Sequence, residues 1–248
     1  MCGIAGIFNY RSDAAVDPRI VREMTRAMAH RGPDGEGCWA DGPIGLGHRR
    51  LSILDLSPRG LNPMATPDGR YQIIYNGEVY NYLELREELK SAGVDFRTDT
   101  DTEVILTLYA RLGPACLDRL NGMFAFAIWD RIERRLFLAR DRVGIKPLYY
   151  VDTAEGLAFA SEAKALFTCP GVSCETDVAA IDRYLTFGYS PGEATLFKGV
   201  RKLPPGHAMT VDANGPRQWQ YWDVRFEPAA DRSAAQTAAE LKELPTRR

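Results

Sequence analysis

The chain predicts an α+β domain in which helices lie outside layered sheets, and three observations carry that prediction. Strand-like runs alternate with capped helical segments, the opening strand is apolar on both faces, and a long central stretch breaks at turn residues into short strands. At 248 residues, 45% hydrophobic and 26% charged, the chain is long enough for one large domain with a sizeable core plus a tail. A formal net charge of −2 provides no field that would favour nucleic acid or anionic lipid. No apolar run approaches the roughly 18 residues of a membrane helix, and no secretion signal opens the chain, so a cytoplasmic location is expected.

The elements follow in order. "CGIAGIFNY" places Cys2, Ile4, Gly6 and Phe8 on one face and Gly3, Ala5 and Ile7 on the other, which reads as a strand buried on both sides. In "VDPRIVREMTRAMAHRG" Asp17 caps a helix, Pro18 takes its first turn, Ile20, Met24 and Met28 line one face, and Gly32 terminates it. A glycine-rich turn, "RGPDGEG", precedes short strand material in "PIGLGHRRLSILDL". "RYQIIYNGEVYNYLELREELKSAG" reads as strand, tight Asn-Gly turn and helix, with Asn81 and Glu84 spaced as a capping box. Thr100 and Glu103 form a second box ahead of Val104, Leu108 and Leu112. From "GMFAFAIWD" through "RRLFLARD", "KPLYYV" and "LAFASE" the spacing predicts a four-strand antiparallel meander. Short helices at "SEAKALF" and "DVAAIDRYLTFG" come next, then a hairpin turning at Ala-Asn-Gly-Pro, and an alanine-rich helix, "SAAQTAAELKEL", with a thin apolar stripe.

Cysteine and histidine usage narrows the chemistry. Cys2, Cys38, Cys116, Cys169 and Cys174 are odd in number and scattered, which argues against a disulfide framework, and three dispersed histidines leave no ligand cluster for zinc. The second position stands out. Removal of Met1 is favoured before a small side chain, and a mature N-terminal cysteine carries a thiol of reference pKa about 8.5 beside an amine of about 7.7–8.0. Such a residue brings its own general base; the same cysteine also reads as a small buried residue at a strand start.

Acyl transfer needs donors aimed at an oxyanion, and the Asn76 carboxamide with the Gly77 N–H could supply them, because the segment after Asn-Gly is a helix and not the returning strand of a hairpin. Arg50 and Asp101 offer a cation and an anion for an amino-acid substrate. By spacing alone these two read as a solvated charge and a first-turn acid favouring the helix dipole.

The motifs "MCGIAGIF", "HRGPDGEG", "GHRRLSILDL", "YNGEVYN", "TDTDTEVIL", "GMFAFAIWD", "RDRVGIKPLYY" and "SEAKAL" resemble, in order and spacing, the glutaminase domain of glutamine-dependent asparagine synthetases. The resemblance covers nearly all of the first 170 residues and runs more loosely to "QYWD". It implies a four-layer αββα N-terminal-nucleophile hydrolase fold with two stacked antiparallel sheets. It further implies Cys2 as nucleophile, with its α-amine as base, forming a glutamyl thioester and releasing ammonia. Asn76 and Gly77 would make the oxyanion hole, Arg50 would hold the substrate carboxylate, Leu51, Ser52, Ile53 and Leu54 would wall the site, and Glu78 and Asp101 would hold the α-ammonium group. Arg31 with Asp34, and Arg140 with Asp141, are expected to fix loops as charged pairs.

The same resemblance sets expectations for organisation. Residues 1–226 would be the glutaminase domain and 227–248 a helical tail where a synthetase domain begins in the family. The "SGG-x-DS" loop of that domain, with its ATP and magnesium, is absent from these 248 residues, so no cofactor is expected for this domain. L-Glutamine, a synthetase domain or subunit and a possible homodimer are the expected partners, without nucleic acid or membrane. Two alternatives stay open: an amidotransferase half serving another acceptor, and a non-catalytic remnant acting as a binding or regulatory module.

Overall fold

The computed structural model describes residues 1–226 and 233–243. In chain order the elements are β1 (Gly3–Phe8), α1 (Pro18–Ala27), β2 (Gly35–Asp41), β3 (Ile44–Arg50), β4 (Met64–Ala65), β5 (Tyr71–Val79), α2 (Tyr82–Ser91) and α3 (Asp101–Leu112). They continue with β6 (Gly122–Asp130), β7 (Arg135–Arg140), β8 (Tyr149–Asp152), β9 (Leu157–Ala160), α4 (Ala163–Leu166), α5 (Val178–Phe187), β10 (Val200–Lys202), β11 (His207–Asp212), β12 (Gly215–Gln220) and α6 (Ala234–Glu243).

The strands form two sheets with antiparallel neighbours, ordered β10-β8-β9-β1-β3-β2 and β12-β11-β7-β6-β5-β4. Alternation then decides what each face meets. Ile4, Phe8, Ile44 and Leu46 of the first sheet pack against Ile74, Ala125, Ala127, Trp129 and Leu138 of the second, closing an apolar interface between them. The outer face of the first sheet carries α1 and α4 through Ala5, Ile7, Met24, Met28 and Leu166. The outer face of the second carries α2 and α3 through Ile73, Tyr75, Leu85, Ile105 and Phe126. This is the expected four-layer αββα arrangement, with β1 buried along its whole length.

The helix starts agree with their sequence signals in part. Asp17 accepts from the Arg19 N–H to cap α1, and Thr100 accepts from the Glu103 N–H to cap α3. Met24 and Met28 are buried as expected, whereas α1 itself ends at Ala27 and a 3-10 turn over Ala29–Arg31 precedes Gly32. The Asn81 box does not form: its side chain joins the Arg119 carbonyl and the Asn121 N–H, tying the start of α2 to the segment before β6. Leu112, at the last turn of α3, is exposed and lies outside the buried stripe of Val104 and Leu108.

Three expectations are corrected at the level of strands. Asn76-Gly77 is no turn: β5 runs straight through it, paired residue for residue with β6 from Tyr71–Asp130 to Val79–Gly122. The presumed turn "RGPDGEG" runs into a strand, β2, which pairs with β3, and "LSILDL" is a loop. The four-strand meander is two hairpins in two sheets, β6–β7 in one and β8–β9 in the other, because the segment after Arg140 crosses between layers. The expected charged pairs are also absent. Arg31 bonds Glu162 and the Cys2 carbonyl while Asp34 takes the Ser52 N–H. Arg140 donates to the carbonyls of Gly144, Lys146 and Leu203, and Asp141 accepts the N–H groups of Phe124, Ile145 and Lys146.

Candidate active site

The two sheets part at one end, where a cavity of about 210 Å³ opens between the start of β1, the end of β3 and the last third of β5. Its wall contains Cys2, Arg50, Leu51, Ile53, Leu54, Asn76, Gly77, Glu78 and Asp101, so nine of the ten residues singled out in the sequence converge there. Ser52 is not in the wall, and its N–H donates to Asp34 at 2.8 Å.

Cys2 is fixed from two directions. Arg31 Nε donates to its carbonyl at 2.8 Å, and its Sγ lies 3.4 Å from the Leu51 N–H. Burial pushes the Cys2 thiol up, with the Leu51 N–H and the nearby chain terminus pulling it down. A thiol raised in this way is protonated at neutral pH and needs a base before it can attack.

On the facing strand, pleating sends Ile74, Asn76 and Glu78 towards the first sheet and Ile73, Tyr75 and Val79 towards the helices. Asn76 is 1% exposed and its Nδ2 has no hydrogen-bond partner, a buried donor aimed at the cavity that calls for an acceptor. The backbone alternates as well. The Tyr75 carbonyl is taken by His48 and the Val79 N–H by Asp101, both on the side away from β6. Gly77 lies between them in the same phase, and its β6 counterpart Phe124 spends its own N–H and carbonyl on Asp141. The Gly77 N–H therefore faces the cavity beside the Asn76 amide. A Cβ at Gly77 would come within 2.3 Å of the Met123 carbonyl oxygen and 2.8 Å of Phe124 Cα, which is the physical reason for glycine here.

Two carboxylates close the other side. Asp101, at the first turn of α3, accepts from the Tyr75 hydroxyl at 2.6 Å and the Val79 N–H at 3.0 Å, and burial raises its carboxyl against these donors. Burial, then the neighbouring Asp101, pushes the Glu78 carboxyl up to about 7, while Lys146 pulls it down. Such a pair gains from a cation placed between or beside them.

Arg50 is held by its own loop: its guanidinium donates to the carbonyls of Ser57 at 2.8 Å, Leu54 at 3.2 Å and Asp55. It thereby folds residues 51–57 over the cavity while bringing a positive charge to its wall.

Among the wall residues that sequence reasoning missed are His48, Asn62, Met123 and Lys146. His48 Nε2 donates to the Tyr75 carbonyl at 2.9 Å, and burial holds the imidazole down at about 4, so the ring is neutral and locked at physiological pH. Alternation along "IGLGHRR" could have placed His48 on the Leu46 face; Asn62, Met123 and Lys146 reach the cavity only through loop and cross-strand packing.

A cysteine at the head of a doubly covered strand, opposite an amide and a strand N–H, in an αββα sandwich defines an N-terminal-nucleophile type of hydrolase fold. Solved structures bear this out at the level of fold. The glutamine phosphoribosylpyrophosphate amidotransferase of B. subtilis superposes with a TM-score of 0.67 at 21% identity, over 90% of this chain and 50% of that one. A structure described as the allosteric regulatory enzyme of purine biosynthesis gives 0.66, also at 21% identity. The family described as the glutamine amidotransferase domain matches residues 1–222, and the chain belongs to it.

Curated relatives include the glutamine-hydrolyzing asparagine synthetase 1 of Bacillus subtilis (strain 168), 40% identical over 92% of this chain and 36% of that protein. The asparagine synthetase 3 of the same organism is 38% identical over 98% of this chain and 40% of its own length. The amidase chry2 of Gibberella zeae is 34% identical over 91% of this chain and 35% of its own. The chain thus spans 35–40% of the length of these relatives. Among the described residues no helix is long and apolar enough to cross a membrane.

Proposed function

We propose that this glutamine amidotransferase domain hydrolyses L-glutamine to glutamate and ammonia with Cys2 as an N-terminal nucleophile. The observation that carries the assignment of roles is the unpartnered Asn76 amide beside the Gly77 N–H, facing the Cys2 thiol across the cavity. Met1 is 56% exposed, accessible to removal, and its loss frees the Cys2 amine. That amine takes the thiol proton, and Sγ attacks the side-chain amide carbon. The amide oxygen becomes an oxyanion received by Asn76 Nδ2 and the Gly77 N–H. Collapse breaks the C–N bond, the amine returns its proton to the leaving nitrogen, and ammonia departs from a glutamyl thioester. Water adds to the thioester through the same hole, expelling the thiol and leaving glutamate. Arg50 would receive the substrate carboxylate, Glu78 and Asp101 its ammonium group, and Leu51, Ile53 and Leu54 would line its path.

In this reading the ammonia serves ATP-dependent asparagine synthesis by a synthetase region such as the longer relatives carry, with residues 1–226 acting as the glutaminase unit. All five cysteines are free, which suits a reducing, cytoplasmic setting. The test is intact mass after treatment with a diazoketone analogue of glutamine, with ammonia release measured in parallel. We expect loss of Met1, one adduct on Cys2 blocked by glutamine, and no ammonia from a folded Cys2→Ala variant. Ammonia released by that variant, or a label elsewhere with Cys2 mature and unmodified, overturns the assignment.

A further inference from the structure

Lys146 sits in the cavity wall with 5% of its surface exposed, and its ammonium group makes no ion pair or hydrogen bond with the described residues. Its backbone is clamped: the N–H donates to Asp141 at 2.9 Å and the carbonyl accepts from Arg140 at 2.8 Å. The chain therefore fixes this lysine in a partly desolvated place without a counterion in contact, an arrangement that costs free energy unless charge elsewhere in the cavity compensates it. The compensating charge is at hand, because Glu78 and Asp101 line the same cavity and neither has a cation within ion-pair distance.

Resting on the glutaminase reading above, we propose that Lys146 is the cation that lets Glu78 and Asp101 stand ionised side by side, and is thereby a positioning residue for the α-ammonium group of the substrate. Two carboxylates in one desolvated site do not both ionise without a compensating charge. The Cys2 amine must be uncharged to act as the base, and the other groups facing Glu78 leave that task to Lys146. Asp101 from α3 is anionic, Tyr75 from β5, Tyr82 from α2 and Cys2 from β1 become anionic when they titrate, and His48 from β3 is neutral. Arg50 from β3, anchored to three loop carbonyls, brings its charge to the wall where it acts on Cys2 and His48 and not on Glu78. Lys146 reaches the site from the β7–β8 segment, its charge acting on Glu78 at a distance longer than a contact ion pair, which leaves room for a substrate ammonium at the two carboxylates.

The experiment is a 13C NMR titration of the Glu78 carboxyl in the glutamine-free protein, its resonance identified by its loss in Glu78→Gln. In Lys146→Met and in Lys146→Gln the midpoint should move up by at least about half a unit, and in Lys146→Arg it should stay with the parent. The acid limb of the KM for glutamine should move with it, with kcat at high pH little changed. A titration in both neutral variants that superimposes on the parent overturns the proposal. So does a KM raised equally at all pH values, the result expected if Lys146 held the substrate carboxylate. Because the titration is read without substrate, it decides the role of Lys146 even if the chain fails to hydrolyse glutamine, a failure that would instead remove the glutaminase reading.

Discussion

Asn76 shows how a single side chain would acquire its proposed role from what it lacks. A fully buried amide donor without a partner is costly in an empty site and becomes favourable when an oxyanion forms there. Asn76→Asp, nearly isosteric, replaces the donor with an acceptor and should lower kcat by about 10²–10³-fold, or about 2.7–4 kcal/mol of barrier, with KM for glutamine less affected. Steady-state ammonia release measures this, and an unchanged kcat removes Asn76 from the oxyanion hole. In the proposed reaction Glu78 carries the pH dependence of glutamine binding. Burial and Asp101 push its carboxyl up to about 7, and only the ionised form attracts an ammonium group. As pH falls through 7 the proton competes with the ligand, so glutamine affinity should weaken by up to about tenfold per unit below that point. Calorimetric binding to Cys2→Ala, which isolates binding from chemistry, should show this slope, and Glu78→Gln combined with it should bind weakly with no slope near pH 7.

At the scale of elements, β5 is where fold and chemistry share one backbone. Its even residues bond β6, its odd residues Tyr75 and Val79 bond His48 and Asp101 on the other side, and the alternation leaves the Gly77 N–H to the cavity. Glycine is required there because β6 passes too close for a side chain, at 2.3 Å from where a Cβ would stand. Gly77→Ala must push two paired strands apart, since the obstructing atoms are backbone. We expect a lowered Tm in a protein that still unfolds cooperatively, together with a loss in kcat of about 10²-fold or more as the N–H swings from the oxyanion site. Thermal unfolding by circular dichroism and ammonia release on the same sample check both halves. Loss of stability with full kcat would show that the Gly77 N–H does not serve the oxyanion.

At the scale of the whole molecule, three packed interfaces hold four layers together, and α6 takes part in none of them: none of its residues is buried. A chain ending at residue 226 should therefore keep the same Tm within about 1 °C and the same glutaminase rate, measured by scanning calorimetry and ammonia release. A drop of several degrees would mean that residues 227–248 belong to the folded unit and would move the domain boundary.

Local chemistry reached far along this chain by itself. The doubly apolar β1, the Asp17 and Thr100 caps, the unusual Cys2 and the candidate donors at Asn76 and Gly77 all follow from short-range rules that tertiary packing did not overrule. Those rules failed where long-range pairing decided the outcome. Asn-Gly favours a turn, yet nine consecutive pairings with β6 keep it extended. The "GEGCWAD" strand has no clean alternation of its own and exists because β3 offers it an edge. Two hairpins that look like one meander separate into different sheets because each must bury its own faces. The residue pattern by itself pointed to the layered class and singled out Cys2, Asn76 and Gly77, whereas Leu51, Ile53, Leu54 and Glu78 of the cavity wall were expected only from the family resemblance. Only the tertiary structure decided that Ser52 stays out of the cavity wall, that Arg50 is held by its loop, and that Lys146 shares that wall with two carboxylates. The reason is that charge partnership depends on distances between segments far apart in sequence, which no local pattern encodes.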